Sequence, residues 1–187
     1  MEGDVTALVL AAGGGDADAL RRLFAAVYDE LKRLAHRQLA ANANATVDTT
    51  GLVHETYLKL TQPERLRLND RGHFFATAAR AMRQILVDQA RRRLAGKRGG
   101  AGVAVTLEDG IGAEALDPEE LVHLDDALAR LQQLEPRLAE LVELRFFAGL
   151  PVERIAELRG VASRTVIRDW RRARAFLFDS VQTAGTR

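Results

Sequence analysis

The chain has 187 residues, 47% of them apolar, and 27 Lys and Arg against 26 Asp and Glu leave a formal net charge of +1. This length suits one domain or two small ones, and the apolar share is enough for a buried core, which excludes disorder throughout. With no cysteine, disulfide staples, thiolate metal sites and cysteine nucleophiles are excluded, which fits a reducing, cytoplasmic setting.

The start, Met1-Glu2-Gly3-Asp4, is acidic where a secretory signal is basic, and the apolar run Val5 to Ala12 is too short to span a bilayer. Residues 1–15 are read as an N-terminal extension, with neither export nor a membrane segment expected. Leu20, Leu23, Phe24, Val27, Leu31 and Leu34 then recur at three-and-four spacing and predict one amphipathic helix from about Asp16 to Ala41, with Asp16 or Asp18 at its positive start.

A polar break, Asn42 to Asp48, precedes a second helix whose buried face is Leu52, Val53, Tyr57 and Leu60 and which Pro63 stops. Its other face shows His54, Glu55 and Lys59. After the loop Glu64 to Gly72, a third helix carries the stripe Phe74, Phe75, Ala78, Met82, Ile85 and Leu86 and runs to about Ala95.

Gly96 to Ala115 is glycine-rich and has no helical stripe, so it predicts a flexible linker. Asp117-Pro118-Glu119-Glu120 opens a new helix in capping style, Pro136 interrupts the pattern, and a short helix Val152 to Leu158 leads through Gly160 to a last helix from about Ser163 to Phe178. No strand and no internal repeat is evident. The fold class expected is all-α, with two small helical domains joined by a flexible acidic linker.

The near-zero net charge is a cancellation of blocks. From Arg80 to Arg98 seven basic residues face Asp88 alone, a local +6; from Gly99 to Ala129 eight carboxylates and no Lys or Arg give −8; from Arg164 to Arg174 five arginines against Asp169 give +4. Two basic helices on separate domains suit a polyanion such as duplex DNA, because neutralising phosphates releases counterions. The alternative reading of each run is a solvated helix face.

Ile155-Ala156-Glu157-Leu158-Arg159-Gly160-Val161, followed by Thr165-Val166, has the helix-turn-helix layout: a small residue at the helix crossing, glycine in the turn, and Val161 and Val166 holding the second helix. Arg159 stands where an apolar residue is usual and Ala162 where Ser or Thr would cap, with Ser163 able to cap one residue later. A purely structural helical hairpin has the same pattern. The last helix offers Arg164, Thr165, Arg168, Arg171 and Arg172 to a groove, with Trp170, Ala173 and Leu177 on its core side.

No catalytic constellation is present. Four residues after His54 stands Leu58 rather than a second His, Gly96-Lys97-Arg98 lacks the spacing of a phosphate loop, and the histidines at 36, 54, 73 and 123 are scattered. Neither a metal nor a cofactor is expected, and the chain is not read as an enzyme.

Three segments together carry a resemblance. GLVHETYLKL at 51–60, HFFATAARAMRQILVD at 73–88 and VELRFFAGL at 142–150 resemble regions two and four of the extracytoplasmic-function group of bacterial RNA polymerase sigma factors. The resemblance implies region two at 16–98, a linker at 99–117, region four at 118–182 and a tail at 183–187. It implies as partners promoter DNA and core RNA polymerase, gripped at the beta-prime clamp helices and the beta flap.

By that resemblance, Asp48, Thr49, Thr50, His54, Glu55 and Lys59 would face the polymerase. Arg67, Asn69, Arg71, His73, Arg80, Arg83, Gln84 and Arg91 would recognise and melt the minus-ten element, and Ser163, Arg164, Thr165, Arg168, Arg171 and Arg172 would read the minus-thirty-five element. At least one of Phe74 and Phe75 is expected in the core.

The family usually opens its polymerase-binding helix with an acidic cluster, whereas this chain has Asp48-Thr49-Thr50-Gly51 and resembles a subgroup without it. A phosphate on Thr50, or on Thr49, would restore about −1.5 to −2 charge there, which raises the hypothesis of activation by a Ser/Thr kinase. The alternatives are regulation by an anti-sigma factor and a plain N-cap role for either threonine. A second hypothesis has the acidic linker, with Glu108, Asp109, Glu114 and Asp117, lying against the arginine faces. The competing function is an autonomous helix-turn-helix transcriptional regulator.

Overall fold

The computed structural model describes residues 2–42, 45–62, 68–96 and 116–184. Among these residues all regular structure is helical: α1 (Glu2–Gly13), α2 (Ala17–Ala26), α3 (Tyr28–Ala40), α4 (Thr49–Leu60), α5 (Arg71–Gly96), α6 (Pro118–Leu134), α7 (Pro136–Val142), α8 (Val152–Arg159) and α9 (Ser163–Ala184). The architecture is the expected all-α one, with α1–α5 in the first helical group and α6–α9 in the second. Of the linker 99–117, residues 99–115 lie outside the described residues, and with them the expected contacts of Glu108, Asp109 and Glu114; Asp117 is described and caps α6.

The helix starts follow capping chemistry. Asp16 accepts from the amides of Asp18 and Ala19 at 2.9 and 3.0 Å and so starts α2. Asp48 accepts from Gly51 N at 2.7 Å to start α4, so neither Thr49 nor Thr50 is the cap. Asp70 accepts from His73 N at 2.8 Å. Asp117 and Glu120 form a reciprocal capping box with Pro118 at the first helical position of α6.

Two expectations give way. Residues 2–13 are a helix that packs on α2 with Leu8, Val9 and Ala12 buried, rather than an extension outside the fold. The single helix from Asp16 to Ala41 is two helices broken at Val27 (φ −113°, ψ 18°), whose side chain is nonetheless buried. The apolar stripe runs straight through the break because Val27 stays in the core.

An aromatic cluster ties the first group together: Phe24 of α2 meets Tyr57 of α4 and Phe74 of α5 edge-on, with ring centroids 5.1 and 5.7 Å apart. Phe74 and Phe75 are both buried, so both serve the core. Burying each such ring stabilises by roughly 1.5–3 kcal/mol. In the second group Leu124, Leu128 and Leu131 of α6, Leu141 of α7, Ile155 of α8 and Trp170 and Leu177 of α9 form the core.

After α7 the chain makes one π turn, Glu143–Phe147, closed by Ala148 N donating to Glu143 O at 2.8 Å, an i to i+5 bond. The two groups meet along a seam in which α5 packs on α6 and on this turn. Leu116 N donates to Ala41 O across it at 2.9 Å, and Arg37 donates to Gly149 O. A cavity of about 730 Å³ lies in the seam, lined in part by Arg37, Gln38, Leu86, Arg145, Phe146 and Trp170.

Candidate nucleic-acid interface

The second group carries a complete helix-turn-helix. Gly160 ends α8 at φ +62°, a left-handed conformation that favours glycine, and Val161 N returns to Ala156 O at 3.0 Å. Ala156 is buried at the crossing. Val166 anchors α9 as expected, but Val161 is 40% exposed and does not. Arg159, at its unusual position, donates to Arg137 O at 2.8 Å and to Glu140 at 3.1 Å, so it struts α8 against α7. The helix begins at Ser163 itself, which makes Ser163 its first residue rather than its cap.

On α9 the side facing the core is Val166, Trp170, Ala173 and Leu177, while Arg164, Arg168, Arg171 and Arg172 are exposed and Ser163 and Thr165 half-buried. Arg172 pairs with Glu135 at 2.9 Å and Arg168 with Asp169 at 3.4 Å, both at the surface where such pairs are easily exchanged. This is a groove-sized helix face with several guanidinium groups and no apolar cover. The exposed Ile167, at 41%, lies among them and was not singled out from sequence.

The first group is less open. Asn69 is exposed and its amide donates to His73 Nδ1 at 3.3 Å, so these two sit at the start of α5. Arg71 forks onto Glu30 at 2.7 and 2.9 Å and lies over the Phe75 ring at 5.7 Å. Arg80 is exposed and Gln84 half-buried. Arg67 lies outside the described residues.

Arg83 stands apart from the other candidates. Its side chain is 5% exposed, with Nη2 and Nε on Glu143 at 2.7 and 3.2 Å, Nη1 on Asp125, and the Phe147 ring 5.3 Å from its guanidinium. Arg91 donates to Asp125 at 3.2 Å and to Asp126 at 3.0 Å. In this arrangement Arg83 cannot meet a nucleic acid, a fact that only the partner residues in the second group reveal.

On α4, Thr50, His54 and Glu55 are exposed, Thr49 and Lys59 are half-buried, and Lys59 lies 3.9 Å from Asp88. Leu58, 51% exposed, continues the Thr50–His54 stripe at four-residue spacing. The sequence shows it as an apolar residue off the buried face, which is the signal that could have added it.

The family described as ECF sigma factor matches residues 2–183, nearly the whole chain. The chain belongs to the extracytoplasmic-function sigma factor family. Comparison with curated proteins finds no match. As a sigma factor it acts in transcription initiation and binds core RNA polymerase and promoter DNA. Among its described residues no helix is long and apolar enough to cross a membrane, and no group of three or more His, Asp or Glu is placed to hold a metal ion.

Proposed function

We propose that this sigma factor, working in the cytoplasm, docks on the polymerase clamp through the exposed face of α4, melts the minus-ten element with the start and outer face of α5, and reads the minus-thirty-five element with α9. The region boundaries are those given by the resemblance. The single observation that carries the reading is the pair of surfaces: a helix-turn-helix with an uncovered arginine face on α9, and an α4 whose outer stripe, Thr50, His54, Glu55 and Leu58, has no partner element against it among the described residues.

Melting needs no catalysis, because a protein that captures unstacked bases in a basic groove recovers the few kcal/mol of unstacking as binding energy. Phe74 and Phe75 are in the core, so capture falls to Arg67, Asn69, Arg71 and His73, with Arg80, Gln84 and Arg91 tracking the duplex; Arg83, enclosed by Glu143 and Asp125, is left out.

The docking half extends to regulation by phosphorylation. The first turn of α4 holds no acidic residue, so its start carries the single charge of the capping Asp48, while Thr50 is exposed one turn from His54. A phosphate on Thr50, with Thr49 as second choice, sits at the positive helix end and gives the clamp an anion to meet. A Ser/Thr kinase is therefore the regulator proposed, with an anti-sigma factor as the alternative.

Run-off transcription with core polymerase tests the reading. Promoter-specific product should require core enzyme, and Thr50→Ala should abolish transcription in cells where the promoter is induced. Full transcription from Thr50→Ala sinks the kinase, and tight promoter binding without polymerase points to an autonomous regulator instead.

A further inference from the structure

We propose that the cavity between the two helical groups binds a small amphiphilic carboxylic acid. Arg145 pairs with the carboxylate, leucines and Trp170 surround the hydrocarbon body, and Gln38 accepts a hydrogen bond from a hydroxyl on it. The inference goes beyond the proposed function, which uses neither Arg145 nor the cavity, and stands on the geometry alone.

Volume is the first observation. About 730 Å³ is within the range of small-molecule sites, which are mainly apolar with a few polar groups that orient the ligand. It far exceeds the space that ordinary packing leaves between helices, where voids larger than a water molecule are few. In the wall, Leu86, Leu121 and Trp170 are buried, whereas Arg37, Arg145 and Leu150 are half-buried and Pro151 is exposed. The cavity therefore has a mouth beside the turn at 149–151.

Charge is the second. Among the described residues Arg37, Arg83 and Arg145 line the cavity and no Asp or Glu does. Arg83 is satisfied by Glu143 and Asp125, and Arg37 donates to Gly149 O. Arg145 differs: its guanidinium lies over the Trp170 ring at 5.4 Å, and among the described residues no carboxylate pairs with it. A carboxylate meets the planar guanidinium fork with two parallel hydrogen bonds. The hydrocarbon walls exclude a nucleic-acid backbone and fit an anion that carries an apolar body.

Gln38 is the third. Its Nε2 donates to Ala79 O at 3.0 Å, which fixes the amide, and its Oε1 has no hydrogen-bond partner among the described residues although Gln38 is only 5% exposed. Buried acceptors are nearly always paired, so an orphan on a cavity wall points to a donor supplied from within. An acid with a hydroxyl on its chain brings both the anion and the donor.

Trp170 is the chain's single tryptophan and stands in the wall, so its fluorescence reports occupancy. The full chain is titrated with β-hydroxydecanoate, with decanoate, which lacks the hydroxyl, and with the matching diol, in which the carboxylate is reduced to an alcohol. β-Hydroxydecanoate should shift the Trp170 emission saturably below about 1 mM. Losing the hydroxyl should weaken binding about fivefold, and losing the charge about tenfold or more. Arg145→Gln should cost the acid the same factor as losing the charge and leave the diol unchanged, while Arg145→Lys should restore most of the affinity. Arg168→Gln on α9, outside the cavity, should bind as the natural chain does, and circular dichroism checks that each variant folds.

A response that is absent, or that rises without saturation as detergent action does, overturns the site. Equal binding of acid and diol overturns the role of the anion, as does undiminished binding of the acid by Arg145→Gln. Equal binding of the two acids overturns the role of Gln38. The three ligands on the natural chain decide the matter even where a variant does not fold.

Discussion

The two arginine helices look alike in composition and differ in availability. On α9 the guanidinium groups of Arg164, Arg168, Arg171 and Arg172 are exposed, and the few carboxylates near them are at the surface. On α5, Arg83 is enclosed and Arg91 is tied to the same aspartate. The difference teaches that charge density along a chain locates an electrostatic surface without saying what already occupies it. On α9 the arginines meet solvent and surface carboxylates; on α5 Arg83 and Arg91 meet Asp125, Asp126 and Glu143 of the second group.

The largest effect that would break this contrast is Glu143→Ala. It leaves the buried Arg83 guanidinium short of its principal anion, and removing one partner of a buried pair costs about 3–5 kcal/mol, read as a drop in thermal or urea stability. Arg168→Ala on α9, by the same measurement, should stay within about 0.5 kcal/mol of the parent while lowering the salt slope of duplex binding by about one. If the two substitutions cost the same stability, the distinction between the helices is wrong.

Gly149→Ala should fall between them. The residue has φ +63°, and a Cβ there would overlap the Arg37 guanidinium that donates to Gly149 O. Backbone strain of this kind costs about 1–3 kcal/mol. Adding Arg37→Ala should relieve the overlap but not the φ, so the double variant should melt higher than the sum of the single losses predicts.

The smallest effect lies on α2, far from the seam. A hydrogen bond from Arg21, and then its charge, hold the Asp18 carboxyl below its ordinary value of 3.8. A carboxyl depressed in the folded state adds stability that is present above the unfolded value and lost as pH falls through the folded one, here in the acid range below about 4. In an NMR titration Arg21→Ala should move the Asp18 midpoint back up, with little change in melting because the pair is fully exposed.

The stripes that build the core were legible because period and burial coincide: Leu20 to Leu34, Phe74 to Leu86, and Trp170 with Leu177 are where spacing puts them. The helix-turn-helix was legible for the same reason, with Gly160 marking the turn. The break at Val27 was not, since no glycine or proline announces it and the buried side chain preserves the period. Helix α1 was hidden by the glycines at 13–15 that end it early, although Leu8, Val9 and Ala12 already lay on one face. Among the candidate DNA residues, Arg83 was indistinguishable from Arg80. Only a partner sixty residues away separates them, and pattern along a chain carries no information about such a pair.

The π turn also bears on which insertions and deletions the chain can accept. It holds one residue more than an α-helical turn would, and both ends are committed: Glu143 to Arg83 at the seam, and Phe147 over the same guanidinium. Removing a residue from 143–148 would restore α-helical spacing and also rotate the downstream helices α8 and α9 by about 100° about the helix axis. A lineage of this protein can therefore substitute within the turn far more readily than it can shorten it, and length at this point should be the least variable feature of the second domain.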